Sequence, residues 1–216
     1  MLARVLPGAA GLAVCGALTA CASAGPPPTP ALLQYDRTDC ATEPALATAI
    51  SLTPEKPRAA HIVETVIDAR TPCLSRPGRS TPYLVYALPQ DHDDKTLIVG
   101  GHLEPHRIFS PEVALLDAGG KVTRTFAATD FMYRGPVYSV QFRPRETEAY
   151  VLVTNEPSRV GQVYDSILTG TQSTPIPAGT VVFMVNSGTE ARLSRTFSYD
   201  GRVHVLVNDS DTEEGR

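Results

Sequence analysis

From residue 61 onward, apolar and polar positions alternate in short runs separated by turn residues. Residues 61–67 (HIVETVI), 83–88 (YLVYAL), 95–103 (KTLIVGGHL), 112–116 (EVALL), 122–126 (VTRTF), 137–142 (VYSVQF), 149–154 (AYVLVT), 180–185 (TVVFMV), 191–197 (ARLSRTF) and 203–207 (VHVLV) each read as a strand. A strand turns successive side chains to opposite faces, and β-branched and aromatic residues suit its pleated surface. Gly, Pro, Asp and Asn fall between the runs, as in Asp117-Ala118-Gly119-Gly120 and Asp200-Gly201. About ten strands at spacings near ten residues predict an all-β fold, an antiparallel sandwich of jelly-roll type.

Three segments read differently. Residues 43–52 predict a short helix, with Pro44 tolerated in its first turn and Pro54 and Pro57 closing it. Residues 159–168 predict a second, with Ser158 as N-cap after the break Asn155-Glu156-Pro157. Residues 70–82 hold Pro72, Pro77, Gly78 and Pro82 and read as a loop carrying Cys73.

The first twenty residues break from this pattern. Arg4 is followed by a run of small and apolar residues over 5–18, too short to span a bilayer as a helix. A basic start, an apolar stretch and small residues at a cleavage point make residues 1–20 a secretory signal peptide. Leu18-Thr19-Ala20-Cys21 resembles the lipobox of bacterial lipoproteins, so Cys21 is expected to carry the lipid. Residues 21–30, CASAGPPPTP, are rich in small residues and Pro and would act as a semi-rigid tether. Ala22 in place of Asp resembles the outer-membrane sorting pattern of enteric lipoproteins. The folded domain is expected over 31–208, with a flexible acidic tail over 209–216.

Cysteine arithmetic follows. Cys15 leaves with the signal peptide and Cys21 is lipidated, so Cys40 and Cys73 remain as a pair in an oxidising compartment. They are expected to form a disulfide. Loss of Arg4 with the leader takes the net charge from −4 to −5. No basic patch points to nucleic acid. With 42% hydrophobic residues, one core is readily filled.

Candidate chemistry is sparse. The chain carries no G-x-S-x-G, H-E-x-x-H, Walker or G-x-G-x-x-G motif, and no cofactor is expected. His102, Glu104 and His106 would share one face of an extended strand and are weak metal candidates, with Pro105 interrupting them. Asp91-His92-Asp93-Asp94 reads as a solvated hairpin loop, with calcium as the alternative. Sugar platforms favour flat rings; there is no Trp, and among eight Tyr the loop residue Tyr133, beside Arg134, is best placed to meet a ligand. Core packing is the competing role for each Tyr.

One stretch has an ordered signature. Phe109, Pro111, Val113, Leu116 and Asp117 are followed by Phe126, by the pair Phe131 and Tyr133, and by Tyr150-Val151-Leu152-Val153. This order, within residues 83–166, resembles the maltose operon periplasmic protein family. That resemblance implies a periplasmic protein of carbohydrate uptake with no defined catalytic activity. The lipobox departs from the plain signal peptide of familiar members. The expected function is therefore a non-enzymatic, membrane-anchored accessory protein for maltose or maltodextrin transport. Its partners would be the membrane, through the lipid, and maltodextrin or an uptake component. A general envelope lipoprotein with no sugar role is the alternative, and a metal-binding or hydrolytic enzyme the third reading.

Overall fold

The computed structural model describes residues 27–56, 60–178 and 181–208. The expected signal peptide at 1–20, Cys21 and the expected tail at 209–216 lie outside the described residues. Among the described residues, fifteen strands run in chain order. They are β1 (Ile50–Ser51), β2 (His61–Ile67), β3 (Cys73–Arg76), β4 (Arg79–Pro82), β5 (Leu84–Ala87), β6 (Thr96–His102), β7 (Arg107–Phe109) and β8 (Pro111–Leu116). They continue with β9 (Val122–Thr125), β10 (Met132–Arg134), β11 (Val137–Phe142), β12 (Tyr150–Asn155), β13 (Val163–Ala178), β14 (Val181–Ser198) and β15 (Gly201–Asn208).

Two five-stranded sheets form the body. The first has the order β1-β5-β12-β8-β9 and the second β10-β11-β6-β15-β2. Alternation sets their inner faces. On β15, Val203, Val205 and Val207 are buried while Arg202, His204 and Leu206 lie outward. Tyr86, Val113, Leu115, Val151 and Val153 of the first sheet join Leu97, Val99, Val140, Phe142 and the β15 valines in one core cluster. The sheets therefore pack face to face as an all-β sandwich. A smaller cluster, Leu74, Tyr83, Val85, Leu116 and Leu152, fills the outer face of the first sheet. Leu46 and Ala49 of the N-terminal segment pack over it.

Cys40 and Cys73 form the expected disulfide. It ties the N-terminal segment to the start of β3, where Ala41 N–H donates to the Cys73 carbonyl at 3.0 Å and Ser75 N–H to the Ala41 carbonyl at 2.7 Å. Further out, Leu32 N–H donates to Ser198 Oγ at 2.7 Å, so the described segment is held to the body from residue 32.

Gly101 has a structural duty in β6. A Cβ there would meet the Phe109 carbonyl, so its absence lets β7 cross close beside β6.

Several expectations are corrected. Residues 43–52 make one 3₁₀ turn, Leu46–Thr48, because the backbone of Ile50 and Ser51 pairs in parallel with Tyr86 and Ala87 at the sheet edge. Residues 159–168 are not helical. Pro157–Arg159 is a 3₁₀ turn capped by the Glu156 carboxylate, and the chain then enters β13. The apolar spacing Val163, Ile167 looks helical, yet both side chains are exposed, and register with Arg192–Thr196 on β14 decides the conformation. The loop at 70–82 is the hairpin β3–β4, turned at Gly78 with φ of 74°. The separate strands at 180–185 and 191–197 are one long strand, β14. Loop residues 132–134 pair with Val137–Ser139 as β10. The described helical segments are 3₁₀ turns of three residues each.

Candidate functional site

Of the three residues predicted to share a strand face, His102 stands apart. β6 ends at His102, Leu103 makes a single bridge to Ile108, and Glu104 N–H closes a tight turn onto the Arg107 carbonyl at 3.0 Å. Alternation therefore does not extend to residue 106. Glu104 accepts from Arg107 Nε at 3.0 Å, while Arg107 also binds Asp200. His106 is exposed. The group 102–104–106 does not converge.

His102 converges instead with residues of two neighbouring strands. On β2, residues 62, 64 and 66 face outward, and on β15 residues 202, 204 and 206 do the same. Register places Glu64 directly across from His204, and His204 across from Gly100 of β6. His102 lies two residues beyond Gly100 and so on the same face. Gly100 has no side chain, and a Cβ there would run into the Tyr138 carbonyl and Ser139 of β11, so β11 sits close against β6 at this point.

The distances are short. Glu64 Oε1 lies 3.4 Å from His204 Nδ1 and 3.9 Å from His102 Nδ1. Its second oxygen accepts from Arg202 Nη1 at 2.8 Å. One ligand atom from each of Glu64, His102 and His204 can be chosen so that all lie within 4.8 Å of one another. The site is half sheltered: side-chain exposure is 13% for His204, 29% for His102 and 35% for Glu64. His102 Nδ1 is buried and has no hydrogen-bond partner.

Electrostatics follow from this geometry. The Arg202 hydrogen bond, ahead of the one from His204, holds the Glu64 carboxyl below the usual carboxylate range. Burial pushes the His102 imidazole below its ordinary value, with Glu64 pulling the other way. The arrangement thus presents an ionised carboxylate to two imidazoles, a donor set suited to a borderline divalent ion.

The Tyr133 and Arg134 pair divides between the two faces of the second sheet. Tyr133 stacks on Tyr164 with ring centroids 3.7 Å apart and touches Tyr138 at 4.9 Å. Burial first, then the neighbouring Tyr164 and Tyr138, pushes its phenol up. The ring closes the end of the core, beside Arg159 over Tyr138 at 5.0 Å. Arg134 turns the other way and donates to the Ser139 carbonyl at 2.5 Å. The two side chains do not share one ligand surface.

The acidic run 91–94 already holds a cation. The Lys95 ammonium, only 3% exposed, sits 2.9 Å from Asp91 and 3.0 Å from Asp94. His92 places its ring nitrogens against the carbonyls of Pro89 and Arg145.

Fold and site together define an all-β sandwich with a cross-strand carboxylate–imidazole cluster on one outer face. No family model, curated protein or solved structure matches the chain.

Proposed function

We propose that this chain is an exported, lipid-anchored accessory protein of the cell envelope, serving maltose or maltodextrin uptake without catalysis. The observation that carries the compartment is the Cys40–Cys73 disulfide, since such bonds persist in oxidising environments and are rare in reducing ones. It lies nineteen residues beyond Cys21 in the sequence, just past the Pro-rich stretch, and clamps the incoming chain to the sandwich. A lipid on Cys21 would hold this body beside a membrane, on the periplasmic side and by the Ala22 pattern at the outer membrane. The ordered signature over residues 83–166 supports the uptake pathway. A binding and tethering role suits a chain whose sequence shows no catalytic motif.

Mass spectrometry of the native N-terminus tests the anchor. Cys21 as first residue with a diacylglycerol on its sulfur supports the proposal, and a first residue that carries no lipid sinks it. Calorimetry with maltodextrins at millimolar concentration tests direct sugar binding. Uptake of labelled maltodextrin by cells lacking the protein tests the pathway: unchanged uptake across sugar concentrations sinks the transport role and leaves a general envelope lipoprotein.

A further inference from the structure

We propose that Glu64, His102 and His204 bind a divalent first-row transition ion, with Zn²⁺ as the type, on the outer face of the second sheet. The inference does not depend on the uptake reading above.

Four observations support it. The first is donor chemistry: two imidazoles and a carboxylate are the set used by three-ligand zinc sites that leave a fourth position to water or substrate. The second is spacing. With metal–ligand bonds of about 2.0–2.1 Å, tetrahedral ligands stand about 3.3–3.4 Å apart. Glu64 Oε1 lies 3.4 Å from His204 Nδ1 and 3.9 Å from His102 Nδ1, so small side-chain rotations close the set around an ion.

The third observation is the buried, unpartnered His102 Nδ1. A buried polar nitrogen without a partner costs stability, and an ion shared with Glu64 and His204 would satisfy it. The fourth is orientation. Arg202 engages only Oε2 of Glu64, at 2.8 Å, and leaves Oε1 turned to both imidazoles. Such outer partners orient ligating carboxylates. The guanidinium also brings a positive charge close to the ion, which sets the affinity below that of an all-neutral surround.

The backbone holds the constellation. Three adjacent hydrogen-bonded strands, β6, β15 and β2, each supply one ligand from the same face. The rigid sheet preorganises the site, and the shelter on its inner side is the main core.

The test uses the untagged mature chain with Zn²⁺ alone, titrated by calorimetry and by competition with a chromophoric chelator. One ion per chain is expected, with His102→Ala, His204→Ala and Glu64→Gln each weakening binding by at least roughly 10-fold. His106→Ala serves as control and keeps wild-type affinity. Circular dichroism confirms that each variant is folded, which its outward position favours. Cu²⁺ paramagnetic resonance gives a second readout: coupling to two nitrogens in the parent and one in either histidine variant. Absence of stoichiometric Zn²⁺ binding by the parent would overturn the proposal. So would variants at 64, 102 and 204 that bind as the parent does, or loss on His106→Ala equal to that on His204→Ala.

Discussion

Replacing both cysteines, Cys40→Ala with Cys73→Ala, isolates the clamp on the N-terminal segment. The bridged residues are 33 apart in sequence. In the chain-entropy description, a loop of that length constrains the unfolded ensemble by about 3.7 kcal/mol at 25 °C. Native contacts offset little of the loss. The bonds from Ala41 to Cys73 and from Ser75 to Ala41 survive the substitution, but each contributes only about 1 kcal/mol net. Leu46 and Ala49 lie on the same stretch, so the cover of the smaller cluster loosens when the clamp is gone.

Equilibrium unfolding in urea reads the effect. At a slope of about 2–3 kcal/mol/M, the midpoint should fall by about 1.2–1.9 M. Wild-type protein treated with reductant should unfold at nearly the midpoint of the double variant. A drop worth less than about 1 kcal/mol would refute the reasoning, because the cross-link would then not limit the unfolded chain as its loop length requires. It would also weaken the case that this bond is formed and needed where the protein works.

Other outcomes follow from particular contacts. Glu148 is fully buried and accepts from Arg124 Nη2 at 2.8 Å, Arg124 Nε at 3.1 Å and the Arg145 N–H at 2.7 Å. Arg124→Ala leaves that carboxylate short of its cation and should cost about 3 kcal/mol in urea unfolding, with Glu148→Met added to Arg124→Ala recovering part of it. The Lys95 hydrogen bond, opposed by burial, holds the Asp91 carboxyl below its ordinary range. A depressed carboxyl contributes stability above its unfolded value, near pH 4, and loses it as pH falls, so amide protection in residues 91–95, taken relative to the intrinsic exchange rate at each pH, should drop selectively on acidification. Among the described pairings, β14 meets a strand outside its own hairpin only through Thr196–Ser198 on β7. Replacing residues 169–190 with Asn-Gly, between the paired Leu168 and Ala191, should therefore leave the unfolding free energy of the body within about 1 kcal/mol.

What the sequence disclosed depended on how far apart the deciding groups lie along the chain. The short apolar runs of β2, β6, β11, β12 and β15 are local, and they identified the strands. The sandwich followed from that spacing. The disulfide was legible by elimination, because the other two cysteines were expected to have other fates. The helical reading of 159–168 failed since Val163 and Ile167 have helical spacing, while the partner that overrides it lies across β14. Propensity is a weak prior against such pairing.

The candidate metal site failed to appear for the same reason in sharper form. Alternation in HIVETVI already turns Glu64 outward, and VHVLV turns His204 outward. Neither run says that β2 and β15 are neighbours, nor that β6 flanks β15 on the other side. A search for ligands along one strand found His102 with Glu104 and His106, and the turn at 104–107 then carried those two away. In an antiparallel sandwich the rule that residues two apart share a face holds only while the strand lasts, whereas cross-strand neighbours share it wherever pairing holds. Outward-facing His and acidic residues on strands far apart in sequence are therefore the signal to collect. Strand order is the one missing fact, and here it brings 64, 102 and 204 together across 140 residues of chain.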